Sequence, residues 1–190
     1  MRENTFTTLG ATNHSKYERE ENDYYATDPF AAQVLLEVEP ELNNIWECAC
    51  GEGHLAKVFE EVEKLRKATD LIDRGYGTVE DFLLNTEPYH DGDIVTNPPF
   101  KYAQQFVEHA LSKVDTGRYV CMFLRLLFLE GQARKKLFEN FPPKTVYVFS
   151  KRINCAKNGD FITYDSGAIA YAWFVWLKGY NGNTLIKWIN

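Results

Sequence analysis

Short apolar runs alternate along the chain with segments in which apolar residues recur every three or four positions. The runs predict buried strands and the recurring pattern predicts helices. The predicted strands are 44–49, 68–71, 93–96, 119–124, 146–149 and 170–177. The predicted helices are 30–36 (after Asp28-Pro29), 54–65, 103–111 and 131–138. This alternation predicts an α/β fold with a mostly parallel sheet that helices cover on both faces.

The polar segment 150–168 lies between the last two predicted strands and has no helical pattern, so these two strands are expected to pair antiparallel. A chain of 190 residues supports one domain, which we place at 23–190, with 1–22 as a flexible polar arm and no separate target-recognition domain. No apolar run reaches the roughly 18 residues that span a bilayer. The N-terminus lacks a signal segment, so we expect a cytoplasmic protein that does not contact membranes.

The four cysteines do not form the paired spacing of a zinc site, so no metal is predicted. The net charge of −6 is unevenly distributed. Residues 97–160 carry 11 Lys and Arg against 5 Asp and Glu, whereas residues 1–96 carry 8 against 21. An acidic protein is unsuited to tight non-specific DNA binding, but a basic face could still hold phosphates. The alternative is that these charges only solvate helix faces.

Ligands of such sheets bind beyond the carboxyl ends of the strands. The first candidate loop, Glu47-Cys48-Ala49-Cys50-Gly51-Glu52-Gly53, joins a strand to a helix. Gly51 and Gly53 let the backbone approach a ligand, and the helix N-terminus favours a ligand carboxylate. Glu47 would suit an ammonium group. The loop is neither a dinucleotide fingerprint nor a phosphate-binding P-loop, and a purely structural turn is the alternative.

Acids follow the later strands at positions that suit the hydroxyl and amino groups of a nucleoside. Asp70, some twenty residues after the glycines, could accept from ribose hydroxyls, and Asp73 competes for this role. Asp81 could accept from an adenine amino group, with Phe82 as an apolar wall. For each acid, a structural cap or turn is the alternative.

Asn97-Pro98-Pro99-Phe100 directly follows a buried strand at the mouth of the predicted cleft. Two prolines remove two N–H donors and leave rigid carbonyl acceptors, to which Asn97 adds its side-chain carbonyl. Converging acceptors can hold an NH₂ group and stabilise the positive charge that develops on its nitrogen as a bond to carbon forms. Phe100 offers a flat face for a base. The alternative is a strand-ending turn with a core phenylalanine.

These residues resemble the S-adenosylmethionine-dependent methyltransferases that act on adenine N6 in DNA. The segment from Tyr24 to Trp176 also resembles the small adenine methyltransferases found in phages and prophages. The motifs of this family occur here in the order called gamma. The N-terminal cofactor motif, the glycine motif, the ribose acid, the adenine motif and the catalytic motif are resembled, in turn, by Thr27-Asp28-Pro29, Glu47 to Gly53, Asp70, Glu80 to Leu83, and Asn97 to Phe100. The resemblance implies a Rossmann-like class I methyltransferase fold with a seven-stranded sheet whose last strand is antiparallel.

The resemblance also implies the ligands and their residues. S-adenosylmethionine would contact Thr27, Pro29, Glu47, Ala49, Cys50, Gly51, Gly53, Asp70, Leu71, Asp81, Phe82 and Asn97. The catalytic residues would be Asn97, Pro98, Pro99 and Phe100, with the base extruded from the DNA stack. The base would stack on Phe100, with Phe161, or alternatively Tyr164, on its other face. From the charge pattern rather than the resemblance, we expect the phosphates of DNA, duplex or single-stranded, to contact Lys101, Arg125, Lys151, Arg152 and Lys157 around the cleft.

Two other functions stay open at this stage. The same acceptor geometry serves methylation of an RNA base or of a protein glutamine amide, because each presents an NH₂ of low reactivity. A non-catalytic phage protein that binds the cofactor is the second alternative, favoured by the small size and acidic charge. A homodimer is a further expectation, since a second subunit could supply target recognition.

Overall fold

The structure is a computed structural model that describes residues 25–156 and 169–190. The predicted arm at 1–22, together with Lys157, Phe161 and Tyr164, lies outside the described residues. The strands are β1 Ala26–Thr27, β2 Ile45–Glu47, β3 Leu65–Asp70, β4 Thr78–Val79, β5 Ile94–Thr96, β6 Tyr119–Arg125, β7 Thr145–Phe149, β8 Cys155–Ala156, β9 Tyr171–Leu177 and β10 Leu185–Ile189. The α-helices are α1 Phe30–Val38, α2 Ala56–Glu61, α3 Ala103–Lys113 and α4 Lys135–Asn140. Short 3₁₀ turns cover Phe100–Tyr102, Leu126–Leu129 and Gln132–Arg134.

Eight strands form one sheet in the order β10-β7-β9-β6-β5-β2-β3-β4. Strand β9 runs antiparallel to both of its neighbours, β6 and β7, and the other pairings are parallel. The predicted mostly parallel sheet and the antiparallel pairing of 146–149 with 170–177 are therefore confirmed. The strand order reverses between β2 and β5, where the chain turns back to fill the other half of the sheet.

The predicted number of strands is wrong. The sheet has eight strands rather than seven, because a further strand, β10, follows the predicted antiparallel strand and pairs parallel with β7. Strand β10 escaped the pattern because its residues, apart from Ile189, are exposed at the sheet edge. Strand β4 is exposed and two residues long. A separate two-stranded ladder pairs β1 with β8.

Two helices are shorter than their apolar patterns predicted. The segment predicted as helix 54–65 contains only α2, because Glu63 adopts a left-handed φ of 57° and Leu65 already begins β3. The segment 131–138 begins as a 3₁₀ turn and becomes α4 only at Lys135. There the Arg134 side chain folds back to donate to the carbonyls of Phe128 and Glu130.

Each face of the sheet carries its own hydrophobic core. Cys121 and Phe123 of β6 join the core under α1 and α2, whereas Val120, Met122 and Leu124 join the core under α3 and α4. This alternation buries β6 on both faces, as a central strand requires. Burial on both faces fixes the register of the central strands and hence the positions of their carboxyl ends. Within the described residues no helix is long and apolar enough to cross a membrane.

Candidate active site

A cavity of about 330 Å³ opens at the carboxyl ends of β2, β3 and β5, where the strand order reverses. Small-molecule sites in proteins have volumes of this order. Of the residues predicted for the cofactor or the reaction, the cavity is lined by Thr27, Glu47, Ala49, Cys50, Asp70, Leu71, Asp81, Phe82, Asn97, Pro98, Pro99, Phe100 and Lys101. Pro29, Gly51 and Gly53 lie outside this lining.

The glycine loop is bound to the end of the neighbouring strand through Asp70. One carboxylate oxygen accepts from the Gly51 amide at 2.8 Å, and the other accepts from the Ile72 amide at 3.0 Å. Gly53 has a φ of +82°, and a Cβ at this position would lie 2.6 Å from the Tyr76 ring. The two glycines thus set the conformation of the loop without lining the cavity, whereas Asp70 anchors the loop and also lines the cavity.

Glu47 ends β2 with a buried carboxylate on the cavity wall. Its Oε2 is enclosed and has no hydrogen-bond partner among the described residues. Burial raises the pKa of this carboxyl well above its ordinary value, and the nearby Asp70 charge raises the pKa further. A buried oxygen of this kind is unfavourable unless a donor reaches it. The cavity wall is therefore complementary to a positively charged ligand group.

Hydrogen bonds hold the side-chain nitrogen of Asn97, whereas its side-chain oxygen makes none among the described residues. Its Nδ2 donates to Thr27 Oγ1 at 2.7 Å and to the Tyr25 carbonyl at 3.4 Å. Its Oδ1 is buried and has no partner within the described chain. Asn97 and the two following prolines line the cavity. The arrangement leaves one fixed acceptor without a donor among the described residues. The role of this acceptor in binding an NH₂ group stays a prediction.

Thr27 and Tyr171 both lie close to Cys155. Burial raises the pKa of the Cys155 thiol to about 12, and the hydroxyls of Tyr171 and Thr27 oppose the rise. The pairing of β1 with β8 places Thr27 opposite Cys155.

Asp81 and Phe82 lie in a turn of the backbone that follows β4. The Asp81 Oδ1 accepts from the Leu83 amide at 2.9 Å, which is the turn predicted as the alternative reading. Phe82 is 2% exposed, and its ring packs against Trp46 and Phe106 at centroid distances of 5.2 and 5.0 Å. Both residues line the cavity, so Phe82 is at once a core side chain and part of the wall.

The residues predicted to contact nucleic acid do not all meet at one cavity. Lys101 lines the main cavity, whereas Lys151 and Arg152 line a second one of about 170 Å³ that includes Tyr171. Arg125 lines neither cavity, and its guanidinium lies over the Phe100 ring, 4.4 Å from the centroid.

Sequence reasoning missed several residues of the site. Tyr25, His54 and Arg74 also line the cavity, and burial lowers the pKa of His54. Tyr171 and Cys155 were missed because strand pairing brings them close to the predicted site residues. Tyr171 lies opposite Arg125 in the antiparallel pairing of β6 with β9. The predicted pairing of 146–149 with 170–177 does not indicate which residues of β6 lie opposite those of β9.

Solved structures with the same arrangement share very little sequence with this chain. A candidate class I S-adenosylmethionine-dependent methyltransferase from Listeria monocytogenes has a TM-score of 0.61 at 13% identity, over 91% of this chain and 68% of that one. The fold is the Rossmann-like class I methyltransferase fold. A candidate RNA methyltransferase from Pyrococcus horikoshii shares this methyltransferase fold with a TM-score of 0.56 at 12% identity, over 86% and 91% of the two chains.

The class I methyltransferase fold of this chain also resembles part of a restriction enzyme. The M protein of the type I restriction enzyme EcoKI gives a TM-score of 0.55 at 14% identity, over 86% of this chain and 46% of the M protein. At such identities the likeness concerns the fold alone. No protein-family model and no curated protein matches the sequence. In residues 25–156 and 169–190, no group of three His, Cys, Asp or Glu side chains could hold a metal ion.

Proposed function

We propose that the protein transfers a methyl group from S-adenosylmethionine to the N6 amine of an adenine in DNA. The observation that carries the proposal is the Oδ1 of Asn97, a residue that lines the cavity, because this oxygen is buried and has no hydrogen-bond partner among the described residues. An acceptor held in this way selects a ligand that donates. Among the groups that fit beside Phe100, the exocyclic amine of a base is such a donor.

The cavity residues fit S-adenosylmethionine in their chemistry. The unpartnered Glu47 Oε2 would accept from the ammonium group of the cofactor, Asp70 would accept from ribose hydroxyls, and Asp81 would accept from the adenine amine. Leu71 and Phe82 would supply apolar contact. When bound, the cofactor supplies an electrophilic methyl group on a sulfonium centre.

The chain's own contribution to the reaction is to hold and polarise the amine. Its nitrogen lone pair is delocalised into the base, so the amine is a weak nucleophile. The Asn97 Oδ1 and the Pro98 carbonyl would accept its two hydrogens and favour a pyramidal nitrogen. As the N–C bond forms, the bond from the methyl carbon to sulfur would break and the sulfur would leave as a neutral thioether. The positive charge that develops on nitrogen would face dipoles that Thr27 and the two prolines hold in place. One amine proton then leaves to solvent, which restores the neutral base.

Reaching this acceptor requires the base to leave the nucleic-acid stack. Extrusion costs a few kcal/mol and is least costly for unpaired bases. Phe100 would stack on the extruded ring, and exposed basic side chains near the second cavity would attract the backbone. Methylation of an RNA base is the second candidate, because an RNA base presents the same weakly nucleophilic NH₂ group.

The test is a competition assay with S-adenosylmethionine labelled in its methyl group. Duplex DNA, single-stranded DNA, RNA and a glutamine-containing protein are offered together, and label is counted in each. The proposal predicts label in DNA and at least a hundredfold less transfer by Asn97→Ala, which removes a preorganised acceptor. Label in RNA or protein alone would reject the substrate. Cofactor binding with no transfer to any substrate would reject the enzyme and favour a binding protein.

A further inference from the structure

The Arg125 side chain lies against the ring to which the proposed function assigns base stacking. Its guanidinium carbon is 4.4 Å from the centroid of the Phe100 ring. Stacked aromatic rings place their centroids about 4.5–7 Å apart. The guanidinium therefore takes up the space over this ring face that a stacked base would need.

Among the described residues, few polar contacts hold Arg125 in this position. None of the ion pairs there involves Arg125. Its Nε is enclosed without a hydrogen-bond partner in that part of the chain, and its positive charge opposes the rise that burial causes in the pKa of Tyr171. An enclosed N–H without a partner is unfavourable, and attraction between a cation and a ring is modest. An anion could therefore draw Arg125 away.

The surroundings of Arg125 attract anions. Tyr171, its cross-strand neighbour, stacks on Phe100 with a centroid distance of 5.8 Å and borders the second cavity. The exposed side chains of Lys151 and Arg152 lie at the same cavity. A backbone phosphate beside the extruded base would meet positive charge here, and guanidinium is the side-chain group best matched to phosphate oxygens.

We propose that Arg125 and the target base exchange places on Phe100. The guanidinium covers the ring in the free protein, and it moves to a phosphate of the extruded nucleotide as the base stacks. The inference rests on the proposed function in that a base of a nucleic acid is taken to stack on Phe100. Arg125 then opposes the binding of a bare base and favours the binding of a base that carries its phosphate.

This exchange makes Arg125→Leu change the binding of two ligands in opposite directions. Adenosine lacks phosphate, so loss of the competing cation should lower its Kd, by about threefold. A twelve-nucleotide single strand that contains adenine should bind about tenfold more weakly, because a charged contact to phosphate is lost. Both are titrated calorimetrically in the presence of saturating S-adenosylhomocysteine, so that adenosine cannot occupy the part of the cavity assigned to the cofactor.

Lys187→Leu is the matched control, because it also removes one positive charge over a ring, 5.7 Å from the centroid of Tyr147 on β7. It should change the binding of neither ligand. Arg125→Gln repeats the test if Arg125→Leu does not fold. An Arg125 variant that weakens both ligands, or leaves both unchanged, overturns the exchange, as does a wild type that binds no oligonucleotide.

The titrations need no methyl transfer, so they separate this inference from the proposed function. Opposite shifts in a protein that transfers no methyl group would support the exchange while rejecting the enzyme. Active transfer to DNA without the opposite shifts would reject the exchange alone.

Discussion

Replacing Thr27 by Val should impair the reaction while leaving the cofactor cavity intact. The change removes a hydroxyl and keeps nearly the same shape. It takes away the 2.7 Å acceptor of the Asn97 Nδ2 and leaves only the Tyr25 carbonyl at 3.4 Å. With less to fix its orientation, the Asn97 amide can turn its nitrogen towards the site, where it repels an incoming amine.

The magnitude follows from the lost hydrogen bond. A bond of this kind contributes about 0.5–1.5 kcal/mol net. Since about 1.4 kcal/mol corresponds to a factor of ten in rate, kcat should fall between about twofold and about tenfold. Affinity for S-adenosylmethionine should stay within about twofold, because the cofactor contacts assigned to Glu47, Asp70 and Asp81 remain.

The assay is steady-state methyl transfer, with cofactor affinity measured separately by calorimetry. Thr27→Ser is the matched control, because it keeps the hydroxyl and loses only the methyl group. It should retain a kcat close to that of the wild type. An equal fall in kcat in Thr27→Ser and Thr27→Val would show that the packing of the side chain matters rather than its hydroxyl. An unchanged kcat in Thr27→Val would refute the role of Thr27 in positioning Asn97.

Three other variants test the cavity. Glu47→Gln should weaken S-adenosylmethionine binding at least tenfold, as measured by calorimetry. In the wild type the cofactor should bind more tightly as pH rises through the raised pKa of Glu47, and calorimetry at several pH values should show no such pH dependence in Glu47→Gln. Because stability linked to that raised pKa is lost as pH rises through it, the ligand-free Glu47→Gln protein should also melt above the wild type at pH 8. Gly53→Ala should destabilise the protein more than Gly75→Ala in thermal melts, because both have a φ near +80° but only Gly53 meets a neighbouring ring. Asp70→Asn should weaken cofactor binding about tenfold, because it removes the charge from the acceptor of the Gly51 amide.

The central strands were predictable because both of their faces are buried. Runs such as 119–124 are apolar at every position, which marks a strand covered by helices on both sides. Edge strands carry no such signal. Strand β10 exposes Trp188 at 72%, and nothing in its sequence separates an exposed edge strand from a loop.

Some features of the candidate site could likewise be predicted from the sequence and others could not. Residues that directly follow a buried strand, such as Glu47, Asp70 and Asn97, could be placed at the sheet edge because parallel strands end together there. Contacts made across the chain could not be predicted. The approach of Arg125 to Phe100 depends on how two neighbouring strand ends are staggered. The binding of Asn97 by Thr27 depends on the short β1–β8 ladder.

The most direct test of the central claim is the identity of the atom that receives the methyl group. Wild-type protein is incubated with adenine-containing DNA and S-adenosylmethionine carrying a trideuterated methyl group, and the digested nucleosides are analysed by mass spectrometry. The account predicts deuterated N6-methyladenine with the wild type and at least a hundredfold less of it with Asn97→Ala. Equal yields from the two proteins, or deuterium on a carbon or ring nitrogen of any base, would contradict it.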